Sequence, residues 1–309
     1  VKFFDASQVA AALPWPALVE SIEQIVITTA AQAPERTVHS ITVPDARDAS
    51  LLMKPGWVVG DVIAVKVVTF FPDNGQHGIA TINAGVLLFD GSTGEFRGAC
   101  DGNELTTRRT AAASAVVAKR LARTDASRLL VVGTGALAPM AAQAHDEVRD
   151  YEVIEVWGRN RDKAAAVVGA LQASGLGATV CDDLDSSVAA ADTITCVTGA
   201  TSPLIQGALL KSGAHVDLIG AFTPQMRESD DDVIRRGDVW VDTRADGVLA
   251  GDLAQPIEAG WFGLDDVQGD LHELVAGTCP VRTSPDQITV FKSAGTALED
   301  VAAAKLVFR

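Results

Sequence analysis

Apolar side chains recur at helical spacing over the first thirty positions or so, and the pattern predicts helices at Ser7–Leu13 and Pro16–Ala31. The second turns Leu18, Ile22, Ile25, Val26 and Thr29 to one side, and Pro16 suits its first turn, where a missing N–H loses no partner. From Arg36 the period shortens. Arg36–Val43, Ser50–Lys54, Val62–Phe70, Gly85–Phe89 and Glu95–Cys100 read as strands, with Asp90-Gly-Ser-Thr-Gly94 as the hairpin loop joining the last two. A long alanine-rich helix is predicted over Thr107–Arg123.

Beyond Arg128, short apolar strands alternate with helical stretches. The strands are predicted at Leu129–Val132, Val153–Trp157, Ala178–Cys181, Thr193–Val197, His215–Ile219 and Val239–Val241, followed by a last strand at Ile288–Phe291 and an amphipathic helix at Thr296–Phe308. Such alternation marks an α/β chain with a doubly wound parallel sheet. Its first strand runs into Gly133-Thr-Gly135-Ala-Leu137-Ala138, a GxGxxA turn that opens a helix. Gly133 permits the tight turn, Gly135 lets the backbone approach a pyrophosphate, and Ala138 keeps the helix close to the sheet. Gly133, Thr134, Gly135, Ala136 and Leu137 are therefore the expected contacts of a dinucleotide. The expected division is a Rossmann domain over residues 113–291 and an α+β unit made of residues 1–112 with 292–309, whose task would be to hold a substrate.

The chain has 309 residues, enough for two domains, and a net charge of −15, which argues against a nucleic acid or an anionic membrane as partner. Cys100, Cys181, Cys196 and Cys279 form no CxxC pair, so neither a zinc site nor a disulfide framework is expected, and reduced thiols suit a cytoplasmic protein. The stretch Val1–Asp5 has no targeting character, and no apolar run of about 18 residues predicts a membrane span. The histidines form no pair at metal-ligand spacing and no serine nucleophile elbow occurs, so metal and acyl-transfer chemistry are not expected.

Candidate chemistry lies in cations. Lys66 sits in Val62-Ile-Ala-Val-Lys-Val-Val-Thr69, where a buried ammonium is costly unless an anion pairs with it, and a substrate carboxylate would do so. An edge-strand lysine pointing to water is the alternative. Arg108-Arg109-Thr110 falls at the predicted start of a helix, the end whose dipole disfavours cations, which suggests a bound carboxylate or cofactor phosphate rather than a solvated pair. Arg36 is the third candidate. After the second nucleotide-fold strand the chain reads Trp157-Gly-Arg159-Asn160-Arg161, with arginine where an NAD site places an acid. That suits the additional phosphate of NADP(H), leaving NAD(H) as the alternative.

These residues carry a resemblance to the ornithine cyclodeaminase and μ-crystallin family over nearly the whole chain. The matching stretches are Pro34-Glu-Arg-Thr37, Lys66-Val-Val-Thr-Phe70, Asp101-Gly-Asn-Glu-Leu-Thr-Thr-Arg-Arg-Thr-Ala-Ala112, the glycine turn, and Thr289-Val-Phe-Lys-Ser-Ala-Gly295 with Glu299-Asp300 and Ala303-Ala-Lys305 behind it. The resemblance implies a homodimer built through the β-rich domain and a small imino or amino acid whose carboxylate is surrounded by Arg36, Lys66 and Arg109. It also implies that Thr198, Gly199 and Ala200 lie near the cofactor and that Lys292 and Ser293 lie near the nicotinamide; Thr110, at the predicted helix start, is a further expected cofactor contact.

The sequence departs from the namesake activity at one position. Members that cyclise and deaminate resemble one another in an aspartate shortly after the fifth nucleotide-fold strand, whereas this chain reads Gly220-Ala-Phe222-Thr-Pro224. A phenylalanine can neither relay a proton nor pair with the side-chain ammonium of ornithine. It suits the ring carbons of a cyclic imine, and the resemblance then implies reduction of Δ1-pyrroline-2-carboxylate and Δ1-piperideine-2-carboxylate, with Lys66 and Arg109 catalytic and Phe222 against the substrate. An NAD-dependent ornithine cyclodeaminase or amino-acid dehydrogenase, and a μ-crystallin-like cofactor-binding protein without turnover, are the alternatives.

Overall fold

The structure, a computed structural model, describes Lys2–Arg309, which fall into two compact units. One runs to Arg109 and takes up Thr296–Arg309, and the other is Thr110–Gly295. The first unit opens with β1 (Lys2–Phe4) and α1 (Ala6–Ala12), whose start is fixed by a reciprocal cap between Asp5 and Gln8. In α2 (Trp15–Val26) Leu18, Ile22, Ile25 and Val26 are buried as their spacing predicts. The helix stops at Val26 rather than Ala31, leaving Thr29 outside. The β-branched run from Ile25 to Thr29 resists helix, and Ala31–Gln32 forms a short strand, β2.

The strands β3 (Thr37–Ile41), β4 (Ala49–Val58), β5 (Val62–Phe70), β6 (Ile82–Asp90) and β7 (Phe96–Asp101) complete a seven-stranded sheet in the order β1-β7-β6-β5-β4-β2, with β3 also on β4. Strand β4 continues past the predicted end at Lys54 and through Pro55. On the far side from β5 it pairs with β3 up to Met53 and with β2 from Trp57, so Pro55 falls in the interval where no ladder needs its N–H. Along β5, Val62, Ala64 and Lys66 are buried while Ile63, Val65 and Val67 are half-buried. The last helix packs on α2, β4 and β5. It is numbered α11 (Ala297–Val307), and it is buried nearly all round rather than amphipathic, because its alanines let sheet and helix approach from opposite sides. A Cβ on Gly56 would lie 2.9 Å from Val301 Cγ2, so the strand has no room for a side chain there.

Helix α3 (Gly102–Leu121) begins five residues before the predicted start and crosses the boundary between the units. Gly102 and Asn103 look like turn residues, but Asp101 Oδ1 accepts from the Glu104 amide (2.8 Å) and starts the helix there. The second unit continues with β8 (Arg128–Val132), α4 (Leu137–Val148), β9 (Val153–Trp157), α5 (Arg161–Ala173), β10 (Ala178–Val180), α6 (Leu184–Ala190), β11 (Thr193–Cys196) and β12 (His215–Leu218). Then come α7 (Asp231–Arg236), β13 (Gly237–Val241), α8 (Arg244–Gly247), α9 (Gly251–Glu258), β14 (Val267–Asp270), α10 (Leu271–Ala276) and β15 (Ile288–Lys292).

All eight strands are parallel, in the order β10-β9-β8-β11-β12-β15-β13-β14. The strand order reverses between β8 and β11, the crevice where doubly wound sheets take ligands. Leu130, Val132, Ile194 and Cys196 fill one face, and Leu129, Val131, Ile154 and Val156 the other with α4 and α5, so these strands are apolar on both sides. At the sheet's centre Asp217 is wholly buried, with its oxygens on His145 Nε2 (2.6 Å) and His215 Nε2 (3.1 Å). No helix among the described residues is long and apolar enough to cross a membrane, and the four cysteines are unpaired.

Candidate functional site

The second unit has a groove of about 390 Å³ at the switch point, lined by the loops that follow β8, β9 and β11. Gly133 is required by the fold itself: its φ is +136°, and a Cβ would lie 2.7 Å from the Val197 carbonyl oxygen. Gly135 is different, because a Cβ there would meet nothing within 4 Å. The space above Gly135 is not taken by the protein, which is the arrangement a pyrophosphate needs. Thr134, Thr198, Gly199 and Ala200 line the groove with these glycines. Ala136 and Leu137 do not. Ala136 is the N-cap of α4 and Leu137 packs on the core. Thr110, half-buried in α3, is not among the lining residues either.

At the end of β9, Arg159 and Asn160 line the groove, but Arg161 does not. It is exposed in the first turn of α5 and pairs with Asp182. Its place is taken by Lys163, two positions on, which the sequence reading missed. The Asn160 side chain accepts from the Lys163 amide (3.0 Å), so one residue both caps α5 and sets the loop. Among the described residues, no carboxylate lines the groove.

Behind the groove, the loops after β11 and β12 are organised by acids from elsewhere. Glu228 accepts from the Thr198, Gly220 and Ala221 amides, and burial pushes its pKa up. Phe222, next along, is 46% exposed, an uncommon position for a large apolar ring. Lys292 is wholly buried and its ammonium donates to the Leu218 carbonyl (2.9 Å) and Asp252 (3.2 Å). That side chain is engaged by the ends of the sheet. Ser293 Oγ likewise donates to Asp242 Oδ2 (3.2 Å), which also receives the amides of Ala294 and Gly295.

The first unit holds a cluster of charges of its own. The alternation of β5 turns Lys66 to the buried face at 4% exposure, and the first turn of α11 brings Glu299 and Asp300 onto that face. Lys66 Nζ donates to Asp300 Oδ1 (2.8 Å); Arg109 places Nη1 on Glu299 and Nε 2.8 Å from Asp300. Burial and then Arg109 push the Lys66 ammonium down to about 7, against the pull of Asp300, with Lys54 adding to the depression. Burial works to raise Asp300, but Arg109, Lys66 and Lys54 together hold it below the usual carboxylate range. Asp300 Oδ2 is buried with no hydrogen-bond partner among the described residues.

Lys66 is thus buried, as expected, but its counter-ion is internal rather than supplied by a substrate alone. The helix-start argument for the arginine pair fails, since α3 begins at Gly102 and places Arg109 two turns in. Of the pair, only Arg109 joins the cluster. Arg108 holds Glu104 (2.6 Å) and lies 5.2 Å over the Trp15 ring. Lys54, unremarked in the sequence, stands directly across from Lys66 in the β4–β5 ladder. Arg36, half-buried, immediately precedes β3, whose first residue Thr37 pairs with Met53 on β4. The signal that could have found Asp300 and Glu299 was weak: two acids in a first helical turn normally read as complements of the helix dipole.

Comparison with known proteins agrees with this architecture. The chain matches the ornithine cyclodeaminase/mu-crystallin family over residues 7–309. It is 34% identical to the Δ1-pyrroline-2-carboxylate reductase of Colwellia psychrerythraea, covering 99% of this chain and 98% of that protein. It is also 34% identical to the ketimine reductase mu-crystallin of Mus musculus, over 89% and 84%. Among solved structures, the Δ1-pyrroline-2-carboxylate reductase of Thermococcus litoralis in complex with NADH and L-proline superposes with a TM-score of 0.93 at 28% identity, covering 100% of this chain and 96% of that one. Fold, glycine groove and similarity coincide, and the chain belongs to the ornithine cyclodeaminase/mu-crystallin family.

Proposed function

We propose that the chain is an NADPH-dependent reductase of cyclic 2-imino acids, forming L-proline from Δ1-pyrroline-2-carboxylate and L-pipecolate from Δ1-piperideine-2-carboxylate. The observation that carries this reading is Lys66, a buried ammonium brought to about 7 beside Arg109. A group of that kind can hold a carboxylate and also give up a proton near neutral pH, and reduction of a 2-imino acid calls for both. The activities named for the relatives support the same chemistry.

When bound, the cofactor supplies the hydride that adds to the imine carbon. Arg36 and Arg109 fix the substrate carboxylate, so a large part of the acceleration is positioning. Lys66 donates a proton to the imine nitrogen as C=N becomes C–N, so one hydride and one proton are taken up for each amine formed. Asp300 and Glu299 keep the two cations oriented. Phe222, exposed and apolar, packs ring carbons and offers no anion to a side-chain ammonium, which favours a cyclic imine over ornithine.

Arg159 and Lys163, in a groove lined by no carboxylate, support NADPH over NADH. The half-buried apolar face of the first sheet, with Leu51, Met53, Ile63, Val65, Val67 and Leu87, supports a homodimer formed there. Unpaired thiols suit a reducing, cytoplasmic setting. The test follows consumption of NADPH and NADH with each cyclic imino acid, and ammonia release from L-ornithine with NAD. Rapid NADPH oxidation is expected; ammonia with proline, or tight cofactor binding without turnover, would overturn the reading.

A further inference from the structure

We infer that Glu228 is a positioning residue that couples the groove loop after β11 to the loop after β12 that carries Phe222. Its side chain is wholly buried. Oε1 accepts from the amide of Thr198 (2.7 Å) and its hydroxyl (2.9 Å), while Oε2 accepts from the amides of Gly220 (2.7 Å) and Ala221 (3.1 Å). Thr198 lines the groove, and Ala221 is bonded to Phe222. One carboxylate therefore satisfies main-chain donors of both loops at once. The loops are in close contact as well: a Cβ on Gly220 would lie 2.2 Å from both the nitrogen and the oxygen of Thr198.

Glu228 is itself held from behind. Asp252 Oδ1 accepts from the Glu228 amide (2.9 Å), the Ser229 amide (3.0 Å) and the Ser229 hydroxyl (3.2 Å). Asp252 Oδ2 receives Lys292, which also reaches the carbonyl of Leu218. The C-terminal ends of the neighbouring strands β11, β12 and β15 are thus tied by buried side chains of three residues, Glu228, Asp252 and Lys292. Main-chain amides can only donate, so a carboxamide at 228 presents one acceptor where two are needed, and its NH2 meets donors on one side. A buried donor left unpaired destabilises whichever loop loses it. Displacement of the 197–201 loop is then passed to Phe222 through a rigid two-sided bond.

The inference rests on the reading that this groove takes the cofactor, and its test separates the two. In E228Q, kcat should fall about tenfold to a hundredfold, the size of effect a small misplacement produces. The KM for the imine and the Kd for NADPH should both rise. A purely structural role would lower Tm but leave all three within about twofold of wild type, and that result would overturn the coupling. Should E228Q not fold, amide hydrogen exchange on the wild-type chain decides. The probe is 2′-phospho-ADP-ribose, which lacks the nicotinamide. Slowed exchange in both 197–201 and 219–223 supports the coupling, and slowing in 197–201 alone overturns it. No slowing in either overturns the cofactor reading itself.

Discussion

The groove of the second unit is shaped by glycines and loops together with Arg159, Asn160 and Lys163, and the cation cluster of the first is built entirely of side chains. In the groove, Gly133 and Gly135 act by what they lack, and the lining comes from the loops that follow three neighbouring strands, between Gly133 and Leu204. In the cluster, Lys66 meets an acid 234 positions along the chain, and Arg109 one 190 positions along. A set of mutually paired buried charges does not tolerate the loss of one member, which leaves another buried and uncompensated. Under the proposed function the first arrangement would grip a large cofactor, and the second would hold a substrate carboxylate beside a buried ammonium.

The sharpest way to break this contrast is K66M. Loss of the buried ammonium should lower kcat/KM for the cyclic imine about 100- to 10,000-fold, the range of a lost general acid, while NADPH affinity measured by fluorescence titration stays as it was. Unchanged turnover would remove Lys66 from the chemistry; a parallel loss of NADPH binding would show that cluster and groove are not separable. Next in size is R159A. It should reduce kcat/KM with NADPH by about tenfold to a hundredfold, as for a lost charged hydrogen bond, and leave NADH nearly unaffected. Equal loss with both cofactors would place Arg159 away from the additional phosphate.

A smaller effect concerns pH. Activity that needs the Lys66 ammonium should decline as pH rises through about 7. Asp300 works to raise that value, so D300N should move the decline to lower pH; a decline that stays put or moves up would show that Asp300 does not govern Lys66. Smallest is a stability trend. The folded-state pKa of Lys66 is lowered from 10.5 to about 7, so the unfolded chain binds more protons between those values and stability from this residue rises with pH across that window. The penalty is fully present below 7. The Tm of K66M relative to wild type should therefore fall steadily from pH 7 to pH 10, and a flat difference would mean that Lys66 is not desolvated.

The same contrast explains what could be read in the sequence. The glycine turn was legible because its spacing is local, and Arg159 followed from its place at the end of the second nucleotide-fold strand. Arg161 and Lys163 were exchanged because the start of α5 turns one residue outward to Asp182 and the other into the groove, a difference of helix phase rather than composition. Lys66 stood out through its apolar neighbours, but the pairing of β4 with β5 that brings Lys54 beside it could not be read from either strand alone. Glu299 and Asp300 stood in the sequence only within a matching stretch, with no role attached, and Glu228 was not singled out. What makes them matter is burial, and burial of α11 on nearly every side depends on the alanines and on Gly56, which only matter once the sheet and α2 close around them. Phe222 was legible as a departure, and its exposure gives that departure a use.

The register that sets Lys54 opposite Lys66 also bears on how long the protein lasts. Lys54 works against the charge on Lys66, and under the proposed function a small carboxylate bound beside them would relieve that repulsion. Ligand binding and resistance to unfolding then draw on the same free energy. A carboxylate present at a hundred times its dissociation constant would add about 2.7 kcal/mol to the cost of unfolding. Turnover of the chain by proteolysis would follow the supply of its own ligand, with the starved protein removed first and the occupied protein spared.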